Sequence, residues 1–148
     1  MYHKLTYKIP VIVRVEDENG EDNIDSSLSN SVAVLQICCD AFNDADVGQY
    51  LNIPLKSCRM VFHTDTLLVE CYLSDNTYNN WPGDVSKFLL DELNGQMSDG
   101  WGEGFEQFSY DLSRYPGNDI GEVYISCWGH DADQKVTFLD YHPTTRLR

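Results

Sequence analysis

The side chains best suited to chemistry lie in the segment Gly95–Gln107, GQMSDGWGEGFEQ, where Asp99, Glu103 and Glu106 stand among four glycines with Trp101 and Phe105 between them. Carboxylates three or four residues apart can share a proton for general acid–base work, or offer oxygen ligands to a hard cation such as Ca²⁺ or Mg²⁺. The spacing fits no EF-hand loop. A phosphate-cradling loop is excluded, because the Lys-Ser/Thr pair it needs is absent and the acids would repel a phosphate. The glycines permit tight turns, so two further readings stand beside a metal-dependent enzyme. One is a structural loop anchored by Trp101; the other is a recognition loop with Trp101 and Phe105 as aromatic contacts inside a polar rim.

Other catalytic patterns lack a member. His3, His63, His130 and His142 form neither HxH nor HExxH, so no zinc site is expected and most of these histidines are assigned to the surface. Asp131 and Asp133 beside His130 read as turn residues. No GxSxG elbow occurs. Cys38 and Cys39 fall within an apolar helical pattern, where a buried thiol is inert. The five cysteines, Cys38, Cys39, Cys58, Cys71 and Cys127, are odd in number and contain no CxxC, the usage of free thiols in a reducing cytoplasm. The expectation is a chain that binds rather than catalyses, without metal or cofactor.

Charge says what it would bind. The 24 acidic residues against 10 basic ones give a net charge of -14, which disfavours direct contact with nucleic acid or an anionic membrane and favours a basic protein partner. The acids are also segregated. Between Arg14 and Lys56 stand Glu16, Asp17, Glu18, Glu21, Asp22, Asp25, Asp40, Asp44 and Asp46 with no base. Between Lys87 and Arg114 stand Asp91, Glu92, Asp99, Glu103, Glu106 and Asp111, again without one. The Glu16–Asp25 segment and the Asp99–Glu106 segment, with Trp101 and Phe105, are therefore the candidate partner-binding residues.

The elements that must position these residues follow from periodicity. Residues 2–15 alternate as a strand bent at Pro10, and 16–29 read as a loop or an acidic hairpin tip around Asn19-Gly20. Asn30 or Ser31 caps a helix reaching about Leu51, with Val34, Leu35, Cys38, Phe42 and Ala45 as its apolar stripe. Lys56–His63 and Thr66–Leu73 form a hairpin. A second helix fits Pro82–Leu93, stopped by Asn94-Gly95. Phe105–Leu112, Gly121–Trp128 and Gln134–Leu139 read as strands. The 148 residues suit a single α+β domain spanning 1–148. Its expected form is a mixed or antiparallel sheet of about five to six strands backed by two helices, ferredoxin-like with an added C-terminal hairpin. No apolar leader or 18-residue apolar run is present, so membrane spanning and secretion are not expected and a bacterial cytoplasmic location is.

At SDGWGEGFEQ, and at the downstream VYISCW of Val123–Trp128, the C-terminal third resembles small, mostly uncharacterised proteins of bacteria, phages and other mobile elements. That resemblance transfers no functional residue. It implies, together with the acidity, a counter-defence protein such as an anti-CRISPR inhibitor. Carboxylates would occupy a Lys/Arg groove evolved for phosphates, as on a CRISPR effector nuclease, by DNA mimicry. The alternative within the same resemblance is a non-catalytic regulatory module of a mobile element.

Overall fold

The computed structural model describes residues 1–16, 22–24, 31–99, 109–111, 122–126 and 136–147. Among these, eight strands and three helices alternate in an α+β arrangement. In chain order they are β1 (Tyr2–Ile9), β2 (Ile12–Glu16), β3 (Asp22–Ile24), α1 (Val32–Ala45), β4 (Ser57–His63), β5 (Thr66–Ser74), α2 (Asp75–Asn80), α3 (Val85–Asp99), β6 (Ser109–Asp111), β7 (Glu122–Ser126) and β8 (Thr137–Thr144).

The strands form two antiparallel sheets of four. The first has the order β4-β5-β1-β8, the second β3-β2-β7-β6. This corrects the expectation of one five-to-six-stranded sheet. Pro10 has no N–H to donate, so the run from Tyr2 to Val15 does not bend within one sheet but ends one strand and starts another. Strand β2 then pairs with β3 and, across the chain, with β7. The segments between β1 and α1 and between α3 and β8 thus meet in the second sheet, so the extra strands precede β8 and are not a C-terminal addition.

Alternation decides what the first sheet buries. Leu5, Tyr7 and Ile9 pair in register with Cys71, Val69 and Leu67, and Met60 pairs with Val69, so all of them face the same side. These residues share one core with Val34, Leu35, Cys38 and Phe42 of α1 and with Val85, Leu89 and Leu93 of α3. Both long helices therefore cover the same face of the first sheet. The opposite face carries Lys4, Lys8, Arg59 and Glu70, with Leu68 and Tyr72 also buried there.

Local signals set the helix ends. Ser31 accepts a hydrogen bond from the Val34 N–H and caps α1. The helix stops at Ala45, short of Leu51, because Asp46 turns left-handed at φ 50° and a single 3₁₀ turn, Val47–Tyr50, follows. Asp84 caps α3, accepting from the N–H groups of Ser86 and Lys87; Pro82 lies outside the helix. Asn94-Gly95 does not stop α3. The Asn94 amide donates to Leu90 O, one turn back, and its oxygen accepts from the Val136 N–H at the entrance to β8. A tertiary contact thus holds the helix where its local sequence favours an end. The unforeseen α2 is a six-residue helix capped by Ser74.

Candidate functional site

The outward side of the helical layer is acidic. Gln36, Asp40 and Asp44 recur at four-residue spacing on α1, opposite its buried stripe, and all are exposed. Asp46 follows at the helix end, also exposed, and Asp84, the cap of α3, and Asp91 within it are exposed too. The loop after α1 docks on α3, where Glu92 accepts from the Asn52 N–H at 3.0 Å. Acids from both base-free stretches therefore lie on one layer. Some are used locally: Asp40 accepts from Gln36, and hydrogen bonds from Ser86 and the Lys87 N–H hold the Asp84 carboxyl below its ordinary range. Asp44 and Asp91 have no hydrogen-bond or ion-pair partner among the described residues.

Of the residues singled out in the sequence, Glu16 and Asp22 sit opposite each other in the β2–β3 hairpin. The acidic stretch around Asn19-Gly20 is thus entered and left by paired strands. Asp99 is the last residue of α3. Asp17, Glu18, Glu21, Asp25, Trp101, Glu103, Phe105 and Glu106 lie outside the described residues. Among the described residues no group of three or more His, Cys, Asp or Glu side chains is placed to hold a metal ion.

One constellation was missed. His3 is not on the surface: only 7% of it is accessible. Its Nδ1 lies 2.6 Å from the Tyr141 hydroxyl and its Nε2 lies 2.6 Å from Asp75 Oδ1. The ring stacks on Tyr78 at 4.1 Å, and Tyr78 stacks on Tyr141 at 5.0 Å. With a neutral imidazole, Nε2–H donates to Asp75 and Nδ1 accepts the phenol proton; with an imidazolium, both nitrogens donate. The hydrogen bond from His3 is the main reason the Asp75 carboxyl titrates below its ordinary value. Burial, followed by the neighbouring Tyr78, raises Tyr141. The sequence signal was phase, since His3 continues the alternation of Leu5, Tyr7 and Ile9 and so belongs to the core face.

A carboxylate, an imidazole and a hydroxyl in line is the arrangement that activates nucleophiles. Here both imidazole nitrogens are engaged and the ring is covered by Tyr78. The described clefts, beside Ile9 and Leu67, beside Gly48 and Cys58, and beside Cys39 and Arg59, are lined by other residues. The contacts tie the start of β1 to α2 and β8.

No family model matches the chain, and no curated protein or solved structure matches it either.

Proposed function

We propose that this chain is an acidic binding protein that works without catalysis, its carboxylates occupying the basic groove of a nucleic-acid-handling bacterial defence protein. A CRISPR effector nuclease is the kind of partner meant. The observation that carries the reading is the helical layer: Asp40, Asp44, Asp46 and Asp91 are exposed on or next to the two helices that share one core against the first sheet, and α1 carries no base at all. Clustered like charges on a rigid layer produce a directed field that speeds encounter with a basic surface. The Glu16–Asp25 and Asp99–Glu106 segments, with Trp101 and Phe105, extend this contact surface in the proposal. The strand order β4-β5-β1-β8, in which α1 and α3 each link strands separated by one, supports a ferredoxin-like reading of the first sheet with its helices.

The test is capture from lysate of a bacterial host at low ionic strength, followed by elution with a salt gradient, alongside an assay of DNA binding by a purified RNA-guided nuclease. The reading expects salt-released capture of a basic nucleic-acid-binding protein and competition between this chain and DNA. Capture insensitive to both salt and reversal of Asp40, Asp44 and Asp91 to Lys would remove it. A dominant loss on Trp101→Ala with no salt effect would favour the regulatory-module alternative.

A further inference from the structure

Cys58 and Cys71 face each other across the β4–β5 hairpin with their sulfurs 3.9 Å apart, both as free thiols. Their place in the ladder follows from a neighbouring contact. Asn43 of α1 donates to Met60 O at 3.0 Å and accepts from Met60 N–H at 2.9 Å, so both backbone groups of Met60 point away from β5. Met60 and Val69 are then a non-hydrogen-bonded pair, and so, two residues along, are Cys58 and Cys71. Such pairs hold their Cα atoms about 4.5 Å apart, inside the range a disulfide spans.

The two thiols are unequal. Cys71 is fully buried, whereas Cys58 is half-buried and lines a cleft of about 420 Å³ with Asp46, Gly48, Pro54 and Lys56. Gly48 packs closely on Cys58: a Cβ on it would stand 2.7 Å from Cys58 Cβ and 3.5 Å from its sulfur. Cys38 and Cys39 are buried on α1, and burial, with Cys38 beside it, pushes Cys39 up to about 12.

We infer that Cys58 and Cys71 are a thiol–disulfide exchange site, with Cys58 attacking a small-molecule disulfide from the cleft and Cys71 resolving the product. The Cys58 thiolate attacks one sulfur of the small disulfide, whose S–S bond breaks and releases one small thiolate. Cys71 then attacks the Cys58 sulfur, forming the protein disulfide, and its proton goes to the second departing thiolate. Two protein thiols are oxidised and one small disulfide is reduced to two thiols. The contact with Cys58, and then burial, raise the Cys71 thiol, which slows this second step, while the 3.9 Å approach makes it intramolecular. Exchange at this pair needs no bound partner, although Asp46 of the acidic layer borders the cleft.

The experiment uses the full chain carrying Cys127→Ser, which confines the reaction to the four thiols placed by the structure. The folded protein is treated with oxidised glutathione, acid-quenched, alkylated and mapped by peptide mass. The expected product is a Cys58–Cys71 peptide pair lacking two hydrogens, formed about tenfold or more faster than any product at Cys38 or Cys39, as exposure controls thiol reactivity. Cys71→Ala should instead accumulate glutathione on Cys58. A persistent glutathione adduct on Cys58 with Cys71 intact overturns the inference, as does equal reaction at Cys38 or Cys39. So does failure of Cys58 to react in the folded chain when the urea-unfolded chain reacts. If Cys71→Ala does not fold, the protein with both thiols decides alone, by bridge or adduct.

Discussion

The outer surface of the helical layer and the opposite face of the first sheet are both charged, yet they use charge differently. On the sheet face opposite charges stand together: Lys4 lies 3.4 Å from Glu70, and Arg59 stands across the ladder from the same glutamate. Bases outnumber acids among these residues, the reverse of the helical layer. On the helical layer Asp40, Asp44, Asp46 and Asp91 share one sign, with Lys87 on α3 and Arg59, which shares a cleft with Asp40, as bases near them. Like charge gathered beyond what local hydrogen bonds use produces a field directed outward.

The contrast breaks first if the acids themselves hold the helices in place. Phe42→Ala, beneath the acidic stripe, should cost about 3–5 kcal/mol through the lost burial and the cavity, because Phe42 is fully buried in the shared core. Asp44→Ala on the outer side of the same helix should change stability by no more than about 0.5 kcal/mol. Urea unfolding of the two variants measures both, and comparable losses would place the acids in the fold rather than on a binding surface.

A smaller effect belongs to the edge where the two regions meet. Asn43 satisfies both backbone groups of Met60 on strand β4, so Asn43→Ala should destabilise by about 1–3 kcal/mol. It should also promote self-association by opening the strand edge, which light scattering would register. Lys4→Ala, on the mixed-sign face, should cost at most about 1 kcal/mol, as one partly exposed pair is lost.

The smallest change concerns Asp75. Its carboxyl is held below the ordinary 3.8 by the His3 hydrogen bond, so this contact stabilises the fold above that value. The contribution is lost as pH falls through the lowered value and the carboxylate is protonated. Acid unfolding followed by circular dichroism should therefore be less steep below pH 3.8 in Asp75→Asn. An unchanged acid transition would detach Asp75 from this linkage.

The parts that the sequence made legible are those governed by near neighbours. The hairpin of β4 and β5 shows in its alternation, and the stripe from Val34 to Phe42 marks the buried side of α1. Ser31 is recognisable as a cap because its hydroxyl serves a residue three positions on. What escaped depends on distant partners. Nothing near Ile12 says that it will pair with Ser126 in a second sheet, and nothing near Asn94 says that Val136 will hold α3 past an expected stop. The paired thiols are likewise visible only once the hairpin register is known. His3 was within reach, since its phase along β1 matches Leu5 and Tyr7, but its partners Asp75 and Tyr141 lie far along the chain. Asp40 and Asp44 fall opposite the apolar stripe of α1, where its periodicity directs them. That the acids of α3 share this layer is a consequence of both helices covering one sheet face.

In the proposed function this acidic layer drives association with a basic partner. It is tested most directly by the association rate of the salt-eluted partner with the parent chain and with the Asp40→Lys, Asp44→Lys, Asp91→Lys triple variant, measured at low and high ionic strength. The account predicts that the parent rate falls steeply as salt screens the field, and that the triple variant associates about tenfold or more slowly at low salt with an unchanged unfolding midpoint. Equal rates for the two proteins, with no dependence on salt, would contradict it.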